Sequence, residues 1–198
     1  STRGLTEETM ASVSALNLGQ AAVQISCGDL FSCARLADGS IKCWGDSASG
    51  QIGQERAFPL GDDPGEMAAL PAIELGAEGS AVDLAAGAKH VCVLLDDGRM
   101  KCWGQAAFGA LGIPGNENRG DGPNEMGDAL EPISFANDFR PRAISAGDGT
   151  SCALGDNDRV HCWGQSGRYG TVGVESPAPV IAFTAETPPV RLAPLDSL

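Results

Sequence analysis

One spacing recurs three times and constrains the fold of this chain more than any other feature: two cysteines ten residues apart, the second followed by Trp-Gly. The pairs are Cys33/Cys43, Cys92/Cys102 and Cys152/Cys162, and equivalent cysteines recur at offsets of 59 and 60 residues. The surrounding sequence repeats with them. The first copy runs from Ile25-Ser26-Cys27-Gly28 through Asp38-Gly39 and Cys43-Trp44-Gly45 to Gly50 and Gly53. The second runs from Leu84-Ala85-Ala86-Gly87 through His90, Asp97-Gly98 and Cys102-Trp103-Gly104 to Gly109, Leu111 and Gly112. The third runs from Ile144-Ser145-Ala146-Gly147 through Asn157-Asp158 and Cys162-Trp163-Gly164 to Gly170 and Gly173. A period of this length signals an array of small supersecondary units that bury their apolar faces against one another.

The midpoint of each cysteine pair carries turn chemistry. Ala37-Asp38-Gly39 and Asp96-Asp97-Gly98 suit a three-residue hairpin loop, a type I turn closed by a left-handed third residue. In the third copy Asp158 takes the glycine's place, and Asp tolerates that region. The two cysteines then face each other directly across an antiparallel pair, with Cβ atoms about 4.5–5.5 Å apart, close to disulfide geometry. Three disulfides are predicted: Cys33–Cys43, Cys92–Cys102 and Cys152–Cys162. A zinc site is the competing reading, but the two-to-four-residue spacing of a zinc knuckle is missing. Each disulfide contributes about 2–3 kcal/mol by restricting the unfolded chain. Three of them predict an oxidising, extracytoplasmic setting: secreted, periplasmic or cell-surface. The seventh cysteine, Cys27, stands where the other copies have Ala86 and Ala146. Two readings are open for it, a small buried side chain beside Gly28 or an intermolecular disulfide.

Short β-rich runs at 23–25, 32–36, 41–44, 82–85, 91–95 and 100–103, bounded by Gly, Pro and Asp, read as strands of an all-β fold. A helical period persists at most over residues 6–15. Adjacent Cys and Trp point to opposite faces of a strand. Trp44, Trp103 and Trp163 are therefore expected as fillers between neighbouring sheets, and Gly28, Gly87 and Gly147 as recurring structural positions.

Together, Ser- or His-x-Cys, Asp-Gly, Cys-Trp-Gly and Gly-x-Leu-Gly resemble the regulator of chromosome condensation repeat, in the cysteine-rich form common in bacterial exported proteins. The resemblance covers about residues 20–193. It is fullest in the second copy, with His90, Asp97-Gly98, Trp103-Gly104 and Leu111-Gly112; Phe31 and Thr150 depart from it at the His90 position, Ile52 and Val172 at the Leu111 position. It implies a β-propeller of four-stranded blades, usually about seven in a ring. This chain supplies about three, either an open arc or a ring closed by oligomerisation or by a partner. Repeats are expected over residues 20–79, 80–139 and 140–188, with a lead-in and partial strand at 1–19 and the start of a further unit or a tail at 189–198. Family members include a guanine-nucleotide exchange factor and inhibitors of other proteins. Exchange activity belongs to a cytosolic or nuclear setting that three disulfides oppose.

A net charge of −13 disfavours nucleic acid and anionic lipid as partners. No run of eighteen apolar residues suggests a membrane span in the given chain, and a processed leader or lipid anchor is left open. Two loops also repeat: Gly61-Asp62-Asp63-Pro64-Gly65-Glu66-Met67 matches Gly120-Asp121-Gly122-Pro123-Asn124-Glu125-Met126. Either they seal blade edges with Met67 and Met126 packed inward, or Asp62, Asp63, Glu66, Asp121 and Glu125 collect Ca²⁺ or a basic protein, although EF-hand spacing is missing. The Arg119-Gly120-Asp121 tripeptide is read as part of this loop element. No nucleophile–base–orienter constellation or Walker loop stands out. His90 is expected to be a structural hydrogen-bonder, and His161 occupies a different repeat position. The sequence thus predicts a non-catalytic, cofactor-free protein-interaction scaffold or subunit of a larger exported complex, binding another protein through inter-blade loops and capable of self-association. The alternative is a secreted carbohydrate-binding or hydrolytic propeller. That reading calls for exposed aromatics and acidic pairs in register, yet Tyr169 is the single tyrosine.

Overall fold

The computed structural model describes residues 10–77, 79–136, 138–165 and 172. Three antiparallel sheets follow one another along the chain. Blade 1 holds β1 (Ala22–Cys27), β2 (Phe31–Leu36) and β3 (Ile41–Gly45). Blade 2 holds β4 (Ala81–Ala86), β5 (His90–Leu95) and β6 (Met100–Gly104). Blade 3 holds β7 (Pro141–Ala146), β8 (Thr150–Gly155) and β9 (Val160–Gly164). Among the described residues no helix is long and apolar enough to cross a membrane. Of the expected N-terminal helical period, residues 6–9 lie outside those described, and within 10–15 the chain is helical only at Met10 and Ala11; Tyr169, Gly170, Gly173 and the segment 189–198 also lie outside.

Local chemistry fixes each hairpin. Gly39 and Gly98 adopt φ of 83° and 85°, and Asp158 takes the same left-handed place at 59°. Asp38, Asp97 and Asn157 accept the backbone N–H two residues on, from Ser40, Arg99 and Arg159, the local bond that favours Asp and Asn in such turns. The resulting register sets Cys33 opposite Cys43, Cys92 opposite Cys102 and Cys152 opposite Cys162. All three pairs are disulfide-bonded, with Cα atoms 4.1 Å apart.

Four-stranded blades were expected, but among the described residues each sheet has three strands. In blades 1 and 2 the fourth strand shrinks to one bridge, Gly45 with Leu60 and Gly104 with Arg119. The next residues, Gly61 and Gly120, turn at φ of 95° and 91°. The chain leaves the sheet edge there, so the ladder stops after one pair.

The blades stack through their first strands, β1 beside β4 and β4 beside β7. Ser26 Oγ accepts the Ala86 N–H at 2.9 Å. The Asp83 carboxylate receives Gln24 Nε2 at 2.8 Å from blade 1 and the Ile144 N–H at 3.0 Å from blade 3. Asp29 N–H donates to the Ala88 carbonyl, and Ala88 N–H to that of Gly147. A Cβ at Gly28 would strike the Gly87 carbonyl, and one at Gly87 the Gly147 carbonyl. The recurring glycine therefore exists for close approach of backbones. Position in the stack governs burial: every residue of β5 and β6 is buried, whereas β1 alternates between exposed and half-buried. One apolar cluster joins blades 1 and 2, another blades 2 and 3.

Cys27 departs from its buried-packing reading. It is unpaired and exposed. Gln24 and Ser26 reach blade 2, so strand alternation turns Cys27 to the opposite face, which no blade covers among the described residues. Its counterpart Ala86 is buried because blade 1 covers that face of blade 2.

Candidate interaction surface

Each blade boundary is locked by a tryptophan. Trp103 Nε1 donates to the Gln51 carbonyl and Trp163 Nε1 to the Ala110 carbonyl, both at 3.1 Å. Gly53 and Gly112 lie against the indoles; an added Cβ would sit 2.9 Å from Trp103 Nε1 and 2.7 Å from Trp163 Nε1. Both rings are fully buried fillers between sheets. Trp44 is only half-buried, and its N–H has no acceptor among the described residues.

The two repeated loops follow one plan. Glu66 Oε2 accepts the N–H groups of Gly61 at 2.8 Å and Asp63 at 3.1 Å, and these backbone donors hold its carboxyl below the usual range. Glu125 Oε2 accepts those of Gly120, Asp121 and Gly122 at 3.0, 3.1 and 2.7 Å. Met126 is buried, and Met67 packs against the core. This is the edge-sealing arrangement. In both loops the glutamate Oε2 is engaged by the backbone of its own loop. Asp121 instead accepts Asn118 Nδ2 at 3.3 Å, while Asp62 and Asp63 stay exposed. Among the described residues no three His, Cys, Asp or Glu side chains gather to hold a metal. Within Arg119-Gly120-Asp121, Gly120 is buried against the Gly50 carbonyl, and the Arg119 guanidinium bonds the Glu117 and Asn118 carbonyls.

The second loop is also tied across the blade boundary. Glu55, at φ 52°, directs Oε1 onto the N–H groups of Glu125 (2.9 Å) and Met126 (3.1 Å). A non-glycine residue in the left-handed region is uncommon, and here the cross-boundary bonds hold it. Beside this tie opens a cleft of 620 Å³, lined by Gln54, Glu55, Glu74, Asn124, Met126 and Asp128 among others. Its three acidic residues are exposed. Next to it the buried Lys101 sends Nζ to the carbonyls of Leu75 (2.9 Å) and Gly127 (2.8 Å), and burial pushes its pKa down. Glu55, Glu74, Asp128 and Lys101 escaped the sequence reading. A signal existed for Lys101 alone, since the residue before the second cysteine is basic in every copy: Lys42, Lys101, His161.

Three stretches, residues 22–51, 81–110 and 142–171, match the regulator of chromosome condensation (RCC1) repeat. The chain carries three RCC1-type repeats. Human E3 ubiquitin-protein ligase HERC2 is 27% identical over 151 residues, 76% of this chain and 3% of HERC2. The Arabidopsis thaliana ultraviolet-B receptor UVR8 is 33% identical over 97 residues, 48% of this chain and 20% of the receptor. Among solved structures, yeast RCC1 (Prp20) bound to Kap60 superposes with a TM-score of 0.59 at 21% identity, covering 86% of this chain and 37% of that one. Human WBSCR16 superposes at 0.60 and 20% identity, covering 89% and 41%. This chain therefore spans less than half of each relative, and the structural likenesses establish the RCC1 propeller fold.

Neither histidine of these RCC1 blades is placed for chemistry. His90 is buried with Nε2 2.9 Å from Ser151 Oγ, which in turn donates to the Ala110 carbonyl at 2.8 Å. Burial, against the field of Asp148, lowers the His90 pKa to about 4. His90 thus bonds across a blade boundary, as a structural residue would. His161 packs edge-on to the rings of Phe139 and Phe135.

Proposed function

We propose that this chain is a non-catalytic, extracytoplasmic interaction module whose RCC1 blades hold rigid inter-blade loops for another protein. The observation that carries the reading is the cross-boundary tie from Glu55 to the backbone of Glu125 and Met126, beside the acidic cleft of Glu55, Glu74 and Asp128. A loop fixed at both ends loses little entropy on binding. Exposed carboxylates at a concave site favour a basic segment of the partner. Two structural neighbours support a protein partner: yeast RCC1 (Prp20) is bound to Kap60 in one, and Prp20p has binding properties to Gsp1p and histones in the other. The ligase named for HERC2 belongs to a protein of which this chain spans 3%. Three disulfides fit an oxidising compartment. The carbohydrate reading gains no support, since the exposed Phe58 and Phe108 occupy non-equivalent repeat positions.

The test compares wild type with a Glu74→Arg/Asp128→Arg variant as immobilised baits against the extracytoplasmic fraction of the native source. A protein retained by wild type and lost by the variant, with circular dichroism unchanged, supports the module. Identical captures by both baits reject the cleft. Thiol trapping in producing cells reports the compartment, because six of the seven cysteines should resist alkylation.

A further inference from the structure

Two walls of the acidic cleft beside the Glu55 tie come from different parts of the chain. Residues 74–77, in the connector between blades 1 and 2, form one, and residues 126–128 of the second repeated loop form the other. Two hydrogen bonds join them directly: the Gly127 N–H donates to the Glu74 carbonyl at 2.9 Å, and the Ala77 N–H to Asp128 Oδ1 at 3.0 Å. Glu74 and Asp128 put a like charge on each wall, and their repulsion opposes those bonds.

A third connection is made by Lys101, on β6. Its Nζ donates to the Leu75 carbonyl of one wall at 2.9 Å and to the Gly127 carbonyl of the other at 2.8 Å. The side chain is 2% exposed, so it cannot meet a docked partner. Gly76 is the point of closest approach: a Cβ there would sit 2.5 Å from Asp128 Oδ1 and 3.4 Å from Lys101 Nζ. Its backbone therefore passes between carboxylate and ammonium. Burying an ammonium is unfavourable, and an apolar side chain would fill the same space at lower cost. The neighbours of Lys101 on β6, Met100 and Cys102, are buried without charge.

We infer that Lys101 is the positioning residue of the acidic cleft: its ammonium fixes the separation of the two walls, so that Glu55, Glu74 and Asp128 act together on one basic segment. The inference rests on the reading of the cleft as a docking site and adds the residue that organises it. Lys101 supplies one donor point to two carbonyls, one in each wall, and its charge offsets the repulsion between the carboxylates. Without it the Leu75 and Gly127 carbonyls lose their donor, and they regain one when the walls open to water.

A Lys101→Met variant, similar in length and uncharged, separates this role from charge alone. Removing a positive charge beside the cleft strengthens its negative field, so charge alone makes the variant bind a basic peptide more tightly. Loss of wall spacing makes it bind more weakly. A fluorescent octa-arginine peptide is titrated by anisotropy, at fixed ionic strength, against wild type, Lys101→Met and Glu74→Arg/Asp128→Arg. Lys101→Met is expected to bind about tenfold more weakly than wild type, the equivalent of one lost hydrogen bond to a charged donor. Hydrogen exchange gives a readout that needs no partner: in Lys101→Met the amides of Gly127 and Ala77 should speed up by about tenfold more than those of β5. Peptide binding that is tighter or unchanged in Lys101→Met overturns the inference, as does exchange at Gly127 and Ala77 that rises no more than in β5. A Lys101→Met chain that fails to fold by circular dichroism also overturns it, making Lys101 a support of the whole fold. Wild type that does not bind the peptide, or Glu74→Arg/Asp128→Arg that binds it equally well, removes the cleft as a docking site, while the exchange arm still decides whether Lys101 holds the walls.

Discussion

His90 Nε2 and Ser151 Oγ meet at 2.9 Å across the boundary of blades 2 and 3, both fully buried. At the boundary of blades 1 and 2 the same two repeat positions hold Phe31 and Val91, both within the apolar core. Polar faces polar at one boundary and apolar faces apolar at the other. A buried hydroxyl opposite a phenyl ring would lose hydrogen bonds that water supplied in the unfolded chain, at a cost of about 1–3 kcal/mol. The repeat positions are thus coupled in pairs across blades.

The coupling predicts a pH dependence. The His90 pKa is about 4 in the fold and about 6.5 unfolded. Above the unfolded value neither state is protonated there, and stability is at its full level. Between the two values the unfolded chain binds a proton that the fold refuses, so stability falls as pH drops, by up to about 3 kcal/mol. His161, also lowered by burial, acts in the same direction. Urea unfolding at pH 7 and pH 5 should show the loss, and the His90→Phe/Ser151→Val pair, copying the Phe31/Val91 boundary, should remove most of it. An unchanged pH profile in the double variant would mean that His90 is not the group responsible.

The tryptophans should separate by position. Trp103→Phe deletes a buried N–H donor and strands the Gln51 carbonyl, costing about 1–3 kcal/mol. Trp103→Ala adds a cavity and should cost about 3–5 kcal/mol. Trp44→Phe removes no internal hydrogen bond among the described residues and should fall within about 0.5 kcal/mol of wild type. Chemical denaturation of dilute protein measures all three, and equal costs for Trp44→Phe and Trp103→Phe would contradict the assignment.

The central disulfide should matter thermodynamically. Cys92–Cys102 closes a short loop, with both cysteines buried. Replacing both by Ala should lower stability by about 3 kcal/mol through the freed unfolded chain, with a further cost for the lost buried volume. A fall in the urea midpoint reports it, with a slope that rises because the freed chain exposes more surface on unfolding.

Loop rigidity rests on Glu125. Glu125→Ala leaves the N–H groups of Gly120, Asp121 and Gly122 without their acceptor, so these amides should speed up in hydrogen exchange by a larger factor than those of β5, which follow only the global loss. Global stability should drop by about 1–2 kcal/mol. Calcium or chelator should leave the wild-type Tm unmoved, because Glu66 and Glu125 are engaged with their own loops. A calcium-dependent rise in Tm would restore the cation reading.

Much of this molecule was written in its periodicity. The ten-residue cysteine spacing, with Asp-Gly or Asn-Asp at its centre, determined the hairpins and their register, because an antiparallel pair with a three-residue loop has only one partner for each residue. Adjacent Cys and Trp determined that disulfide and indole lie on opposite faces. Those constraints act within one hairpin, so sequence order suffices to read them. Cys27, Trp44 and Ile25 are different: their counterparts Ala86, Trp103 and Leu84 are buried, and only the stacking of blades reveals which copy lacks a neighbour. The same holds for the Glu55 tie, where residues 70 or more positions apart meet through a backbone turn that no local pattern encodes. Hairpins form from local hydrogen bonds and turn preferences, whereas burial and inter-blade contacts depend on which faces the stack brings together.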